Sequence, residues 1–274
     1  MPSAAPRVVI IGAGPSGLFA AQALLNLHDE VRVDVLDRLP TPFGLVRYGV
    51  APDHASIKSI QHTLAAPFAS DRVRFCGLVE FGREVTRDEL LAGYDAVIYA
   101  VGASEDRRLG VPGEDLPGSR SAREFVAWYS GHPDARPVSL AGVRSAVALG
   151  VGNVALDVAR ILLASPDALR ATDMPDDVMA ELTGHEVRDV WVVGRRGPQH
   201  ASFTTVELRE LLALDGVAPP RRGRVRPPPG GQRGPGHRPR HPRPGDRRGL
   251  RTAGGTRPLS PAWRPGRGVR GLAA

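Results

Sequence analysis

The sequence predicts an α/β protein in which two strand–turn–helix–strand cycles follow one another and a disordered tail ends the chain. Three observations predict it. An apolar run, a glycine-rich turn and a helix-periodic stretch succeed one another over residues 7–27. The same order returns over residues 145–163. After Pro220 both strand and helix periodicity stop. Each cycle has the outline of a Rossmann-like dinucleotide-binding fold, two in tandem and both incomplete.

The elements follow in order. RVVII, residues 7–11, reads as a short buried strand. GAGPSG at 12–17 turns the chain, and LFAAQALLNL carries apolar residues at helical spacing. VRVDVLD at 31–37 alternates as a second strand. The loop RLPTPFGLVRYGVAPDH, 38–54, is too long for a plain connection, and loops of that length are functional or disordered. IKSIQHTLAAPF reads as a helix, RVRFCGLVEFG as strand material and RDELLAGY as a short helix. YDAVIYAVGA, 94–103, is another buried strand, ending at Gly102. VPGEDLPG, 111–118, is turn-rich and reads as a crossing between subdomains.

The second cycle is SAVALG as strand, GVGNVALDVARILL as turn and helix, and VRDVWVVGRR as strand. An insertion at 165–186 carries helix-start signals in SPDA and TDMPDD. TTVELRELLAL, 204–214, is the last helix. The expected divisions are residues 1–110, 111–220 and 221–274.

Charge divides the chain as sharply as periodicity does. Residues 221–274 hold 15 Arg, no Lys and one acid, Asp246, for a net +14. The whole chain is +7, so residues 1–220 carry −7. An overall basic character therefore belongs to the tail, and reading the body as nucleic-acid-binding would be an averaging error. Cys76 is the single cysteine, which excludes an intramolecular disulfide, a cysteine metal cluster and a CxxC redox pair. That fits a reducing, cytoplasmic setting. The N-terminus reads as strand and turn, not as a leader. No apolar run reaches the ~18 residues of a membrane-spanning helix.

Gly12, Gly14 and Gly17 form GxGxxG after a strand and at the opening of a helix, with Ala13 and Pro15 between them. The spacing allows a tight turn, a close approach of backbone to a pyrophosphate, and close packing of helix on strand; the anion then sits on the helix N-terminus. Asp37 ends the next strand, where a carboxylate accepts from ribose hydroxyls. This unit alone does not distinguish FAD from NAD. The second turn, Gly150-Val151-Gly152-Asn153-Val154-Ala155, is a GxGxxA form, and its next strand ends in Arg195 and Arg196 instead of an acid. Guanidinium groups bind phosphate bidentately where a carboxylate would repel it, so this pair argues for NADP. A surface Arg pair at a strand end is the plainer alternative. Two sites with different tips imply two cofactors and hence a flavoprotein reductase. NADPH gives hydride, and the flavin passes electrons singly to a carrier.

The strings GAGPSG, PTPFGLVRYGVAPDH, YDAVIYAVGA, VPGEDLPG, GNVALDVARILL, VVGRRGP and FTTVELREL resemble the adrenodoxin reductase type of ferredoxin–NADP reductase, actinobacterial forms included, from about Arg7 to about Gly216. The resemblance implies electron transfer from NADPH through FAD to a ferredoxin-like iron–sulfur protein. It implies that Ala13, Asp37, Leu45 and Val79 contact FAD together with the turn glycines, and that the loop through Phe43–Val50, with Gly44, passes beside the flavin. Val151–Val154 would hold the NADP pyrophosphate and Arg195 with Arg196 the 2′-phosphate. Glu207 would lie near the nicotinamide ribose and, with His54, near the flavin–nicotinamide contact, in a proton-relay or charge-tuning role. A loop His and an exposed helix Glu is the alternative. Asp157 reads as a packing or hydrogen-bonding residue.

Nothing in 221–274 resembles the family's continuation. Its Arg, Pro and Gly residues, 37 of 54, leave too little apolar surface to offset ordering entropy. Three readings stand: an out-of-frame translation of a GC-rich gene, a basic tail for nucleic acid or an acidic partner, and a folded domain. Translating the other frames past codon 220 separates the first two. On the first reading the chain lacks the return segment of the FAD domain and is expected to hold FAD weakly or not at all.

Overall fold

The computed structural model describes residues 5–103, 106–195, 198–217 and the backbone of 268–273. Grouped by contacts, the described residues form two compact units: those up to Val143 with Ala164–Glu186, and Arg144–Leu163 with those from Val187 onward. In this grouping the chain passes from the first unit to the second at Val143/Arg144. The 165–186 insertion belongs to the first unit, although it lies between helix and strand of the second in sequence.

The first unit is built on β1 (Arg7–Ile11), α1 (Pro15–Leu27) and β2 (Arg32–Leu36). The long loop carries one short helix, α2 (Leu45–Tyr48). The stretch read as one helix after it is broken into α3 (Ala55–Lys58), α4 (Ile60–Ala65) and a 3-10 turn at Ala66–Ala69. Pro67 has no N–H to continue the ladder, so the end tightens. β3 (Val73–Cys76), α5 (Arg87–Gly93) and β4 (Ala96–Tyr99) complete a four-stranded, wholly parallel sheet in the order β3-β2-β1-β4. Parallel strands need helices on both faces, which is why β1 after the exposed Arg7 is apolar at all four positions, Val8–Ile11. Val8 and Ile10 pack with Leu18, Ala21, Leu25 and Leu64 on one face; Val9 and Ile11 pack with Leu36 and Leu90 on the other. α6 (Ala122–Tyr129), α8 and α9 also belong to this unit; α8 is Pro166–Arg170 and α9 is Asp176–Gly184.

The second unit has β5 (Ser145–Leu149), α7 (Asn153–Leu163), β6 (Asp189–Val193), a 3-10 turn at Pro198–His200 and α10 (Thr205–Leu212). α10 packs on α7, and α7 on β5 and β6. Sequence reasoning leaves 221–274 without regular structure. One piece departs from that: β7 (Gly268–Ala273) runs parallel to β6, in the sheet order β5-β6-β7. Residues 268–273 contain no proline, so every N–H is available to the edge of β6 that β5 leaves open. The rest of that segment lies outside the described residues. Among the described residues no helix is long and apolar enough to cross a membrane.

Candidate functional sites at two glycine turns

The first turn joins β1 to α1. Gly12 has φ +107°, and a Cβ there would stand 2.3 Å from the Ala100 carbonyl oxygen, so the position excludes any side chain. Its N–H donates to Leu36 O at 2.7 Å. Gly14 caps α1 without a side-chain hydrogen bond, Pro15 opens it, and no acid lies in its first turn. The N–H groups at this end thus meet no side-chain acceptor, which suits an anion.

Asp37 is drawn onto this turn. Its Oδ2 accepts from Ala13 N at 2.7 Å and its Oδ1 from Leu39 N at 2.9 Å. Both oxygens are thereby oriented, and a carboxylate has about four acceptor sites in all. Val79 N donates to Asp37 O at 3.0 Å, which brings Val79 beside it. The long loop joins the same place. Phe43 N donates to Ala13 O at 2.8 Å, and a Cβ on Gly44 would fall 2.9 Å from Gly14 Cα. Phe43 holds φ +89°, a conformation that costs a non-glycine residue about 1–3 kcal/mol. The loop beyond is braced by Thr41 Oγ1 and Tyr48 Oη at 2.9 Å, and Tyr48 meets the His132 ring edge-on at 5.0 Å. Burial pushes the His132 imidazole below its usual pKa, against an opposing pull from Asp134. Leu45, 69% exposed, stands at the start of α2. Gly102 follows β4 at φ +69° and makes no close approach. His54 caps α3 and is 8% exposed.

The second turn joins β5 to α7. Gly150 N donates to Val193 O at 2.8 Å, the counterpart of the Gly12–Leu36 bond. The Val151 carbonyl accepts from Ser202 N at 2.8 Å, Phe203 N at 3.1 Å and Ser202 Oγ at 3.1 Å. Asn153 Oδ1 accepts from Thr204 N at 2.8 Å. The segment leading into α10 is therefore tied to Val151 and Asn153, while Val154 is exposed in the first turn of α7. Arg195 is exposed just past β6, and Arg196 lies outside the described residues.

Glu207, at the third position of α10, is 6% exposed, which overturns the alternative of an exposed helix Glu. Its Oε2 accepts from Arg160 Nη1 at 3.1 Å, and Arg160 Nη2 donates to Asp157 Oδ1 at 2.9 Å. Sequence reasoning missed Arg160 and Ser202. Arg160 had one signal, an i,i+3 pair with Asp157 on an otherwise apolar helix. Ser202 had none, because its contacts are to backbone.

The family model of the pyridine nucleotide-disulphide oxidoreductases matches residues 6–191. NADPH-ferredoxin reductase FprA of Mycobacterium tuberculosis is 54% identical over 217 residues, 77% of this chain and 47% of that protein. The mitochondrial NADPH:adrenodoxin oxidoreductase of Bos taurus is 47% identical over 215 residues, 78% of this chain and 44% of that protein. The solved structure of Mycobacterium tuberculosis FprA in complex with NADPH is similar at a TM-score of 0.73 and 52% identity, over 77% of this chain and 48% of that one. The chain spans about half the length of the curated relatives it matches.

Proposed function

The chain belongs to the pyridine nucleotide-disulphide oxidoreductase family, and on that premise we propose that it is a ferredoxin–NADP reductase, binding FAD at the first glycine turn and NADP at the second and passing electrons to a ferredoxin-like iron–sulfur protein. The observation that carries this is the contrast between the two tips. Asp37 is oriented by Ala13 and Leu39 beside the first turn, and Arg195 follows the strand bonded to the second. The names of the relatives, a ferredoxin reductase and an adrenodoxin oxidoreductase both using NADPH, support the acceptor class.

The residues fit the cofactors. Gly12 and Gly17 leave no room for a side chain, and α1 offers an uncapped N-terminus. Gly12, Ala13, Gly14, Pro15 and Gly17 hold the FAD diphosphate, Asp37 accepts from the adenosine ribose, and Gly44, Leu45, Val79 and Gly102 line the flavin side. Val151, Gly152, Asn153 and Val154 hold the NADP pyrophosphate. Arg195 and Arg196 grip the 2′-phosphate. FAD held there would supply the capacity to accept hydride from NADPH and to give up electrons singly. His54, together with Glu207, takes the proton-relay or charge-tuning role near the flavin–nicotinamide contact, and Glu207 accepts from a hydroxyl of the nicotinamide ribose. The setting is cytoplasmic.

The test supplies the purified chain with FAD, measures bound flavin, and adds a ferredoxin with NADPH or NADH. With FAD supplied in excess, so that a weak site is still filled, ferredoxin reduction that depends on flavin and prefers NADPH is expected; a chain that holds no flavin even then refutes the first site. Flavin-loaded protein that oxidises NADPH and leaves ferredoxin oxidised refutes the acceptor. Failure to bind NADPH refutes the second site.

A further inference from the structure

The second unit buries a cation that neither glycine turn uses. Arg160 on α7 is 3% exposed. Its guanidinium is shared between two helices: Nη2 donates to Asp157 Oδ1 on α7 at 2.9 Å, and Nη1 donates to Glu207 Oε2 on α10 at 3.1 Å. Glu210 Oε2, one turn further along α10, stands 3.8 Å from the same Nη1.

A guanidinium cannot shed its proton, and its buried donors need acceptors. The group is planar, so fixing Nη2 on Asp157 fixes the direction in which Nη1 points. Nη1 faces Glu207 and, more distantly, Glu210, which are i and i+3 on α10 and share one side of it. The start of α10 is set separately, by Thr204 N on Asn153 Oδ1 and by Ser202 and Phe203 on the Val151 carbonyl. Those bonds fix where α10 begins. Arg160 fixes how it is turned about its axis and where the Glu207 carboxylate rests.

We propose that Arg160 is a positioning residue for cofactor binding: it holds Glu207 where that carboxylate accepts from the nicotinamide ribose of NADPH. The proposal rests on the reading of Glu207 given under Proposed function. A clasp that merely joins two helices would serve stability alone, and a well-packed apolar pair does that as well as a buried ion pair.

The experiment titrates the full chain with NADPH and with adenosine 2′,5′-bisphosphate, which keeps the 2′-phosphate and lacks the nicotinamide ribose. The variants are Arg160→Lys, Glu207→Gln and the double variant. Arg160→Lys keeps the charge and loses the fork. It is expected to weaken NADPH roughly ten-fold, the order set by one hydrogen bond to a charged group, and to leave the bisphosphate within about two-fold. The double variant should bind NADPH within about two-fold of Glu207→Gln alone, since the two changes act on one interaction. Equal losses for both ligands in Arg160→Lys, no loss for either, or additive losses in the double variant overturn the proposal. If Glu207→Gln does not weaken NADPH, or the parent chain binds neither ligand, the underlying reading falls and takes the proposal with it. If Glu207→Gln weakens NADPH and Arg160→Lys does not, the proposal falls alone.

Discussion

Gly17→Ala tests how α1 sits against β1. A Cβ on Gly17 would lie 2.0 Å from the Gly12 carbonyl oxygen and 3.2 Å from Ile10 Cγ2. Ordinary C···O contacts begin near about 3.3 Å, so the shortfall is roughly 1.3 Å. The obstacle is backbone, and the Gly12 N–H bond to Leu36 O at 2.7 Å keeps that residue from swinging away. The helix must lift instead, loosening Leu18, Ala21 and Leu25 on its own buried face. Overpacking costs about 1–3 kcal/mol, and the better helix propensity of Ala returns about 1 kcal/mol. Because the clash is with backbone, a net loss of roughly 1–2 kcal/mol is expected. Gly93→Ala is the matched control. It closes α5, nothing lies within 4 Å of its Cβ, and it should gain about 0.5 kcal/mol. Urea unfolding of both variants against the parent, followed by far-UV circular dichroism, gives the two signs. A Gly17→Ala chain as stable as the parent, or two shifts of the same sign, refutes the reasoning.

Thr86 and Glu89 form a reciprocal cap on α5, and hydrogen bonding from Thr86 holds the Glu89 carboxyl below its usual pKa. Thr86→Ala should cost about 1 kcal/mol at neutral pH. A depressed carboxyl stabilises above its unfolded pKa and ceases to as pH falls through its folded one, so that gap should narrow in acid; a gap constant with pH sinks the assignment. Burial, and then the 2.6 Å bond to Asp34, pushes the Tyr94 phenol above its usual value. Its contribution is fully present below a pH of about 10 and is lost as pH rises through the raised folded value. The stability difference between the parent and Tyr94→Phe should thus be flat below that point and change above it, and Asp34→Asn should lower the phenol's pKa in ultraviolet titration. Arg195→Glu should weaken NADPH about ten-fold or more and spare NADH, by fluorescence titration; equal losses would mean that Arg195 does not read the 2′-phosphate.

Most of the sheet was legible because its signal is local. RVVII, the alternation over 31–37 and the two glycine turns each announce an element, and all four lie where periodicity places them. α6 was missed although Ser121-Ala122-Arg123-Glu124 spells a helix start, and Ser121 does accept from Glu124 N. Turn-rich segments on both sides masked it, and eight residues give little periodicity. In the insertion, Ser165 caps α8 as SPDA suggests, whereas α9 starts from Pro175 with no side-chain cap. At the turns, the glycines were readable because a tight turn and close helix–strand packing demand that residue type at fixed spacing, and Asp37 because it directly follows β2, beside them. Arg160 and the burial of Glu207 were not, because they arise where α7 and α10 meet, more than 40 residues apart in sequence.

The pairing of β1 has a consequence for how the chain is made. β1 is the first strand of its sheet to leave the ribosome, and one of its two neighbours, β4, is the last; the Arg7 N–H to Asp95 bond joins residues 88 apart. At about 5–20 residues per second, β4 emerges roughly 4–18 s after β1. For the first part of that interval β1 has neither partner strand, and after β2 (Arg32–Leu36) has emerged its other edge still awaits β4. Nascent chains stalled before residue 96 would therefore expose an apolar strand edge.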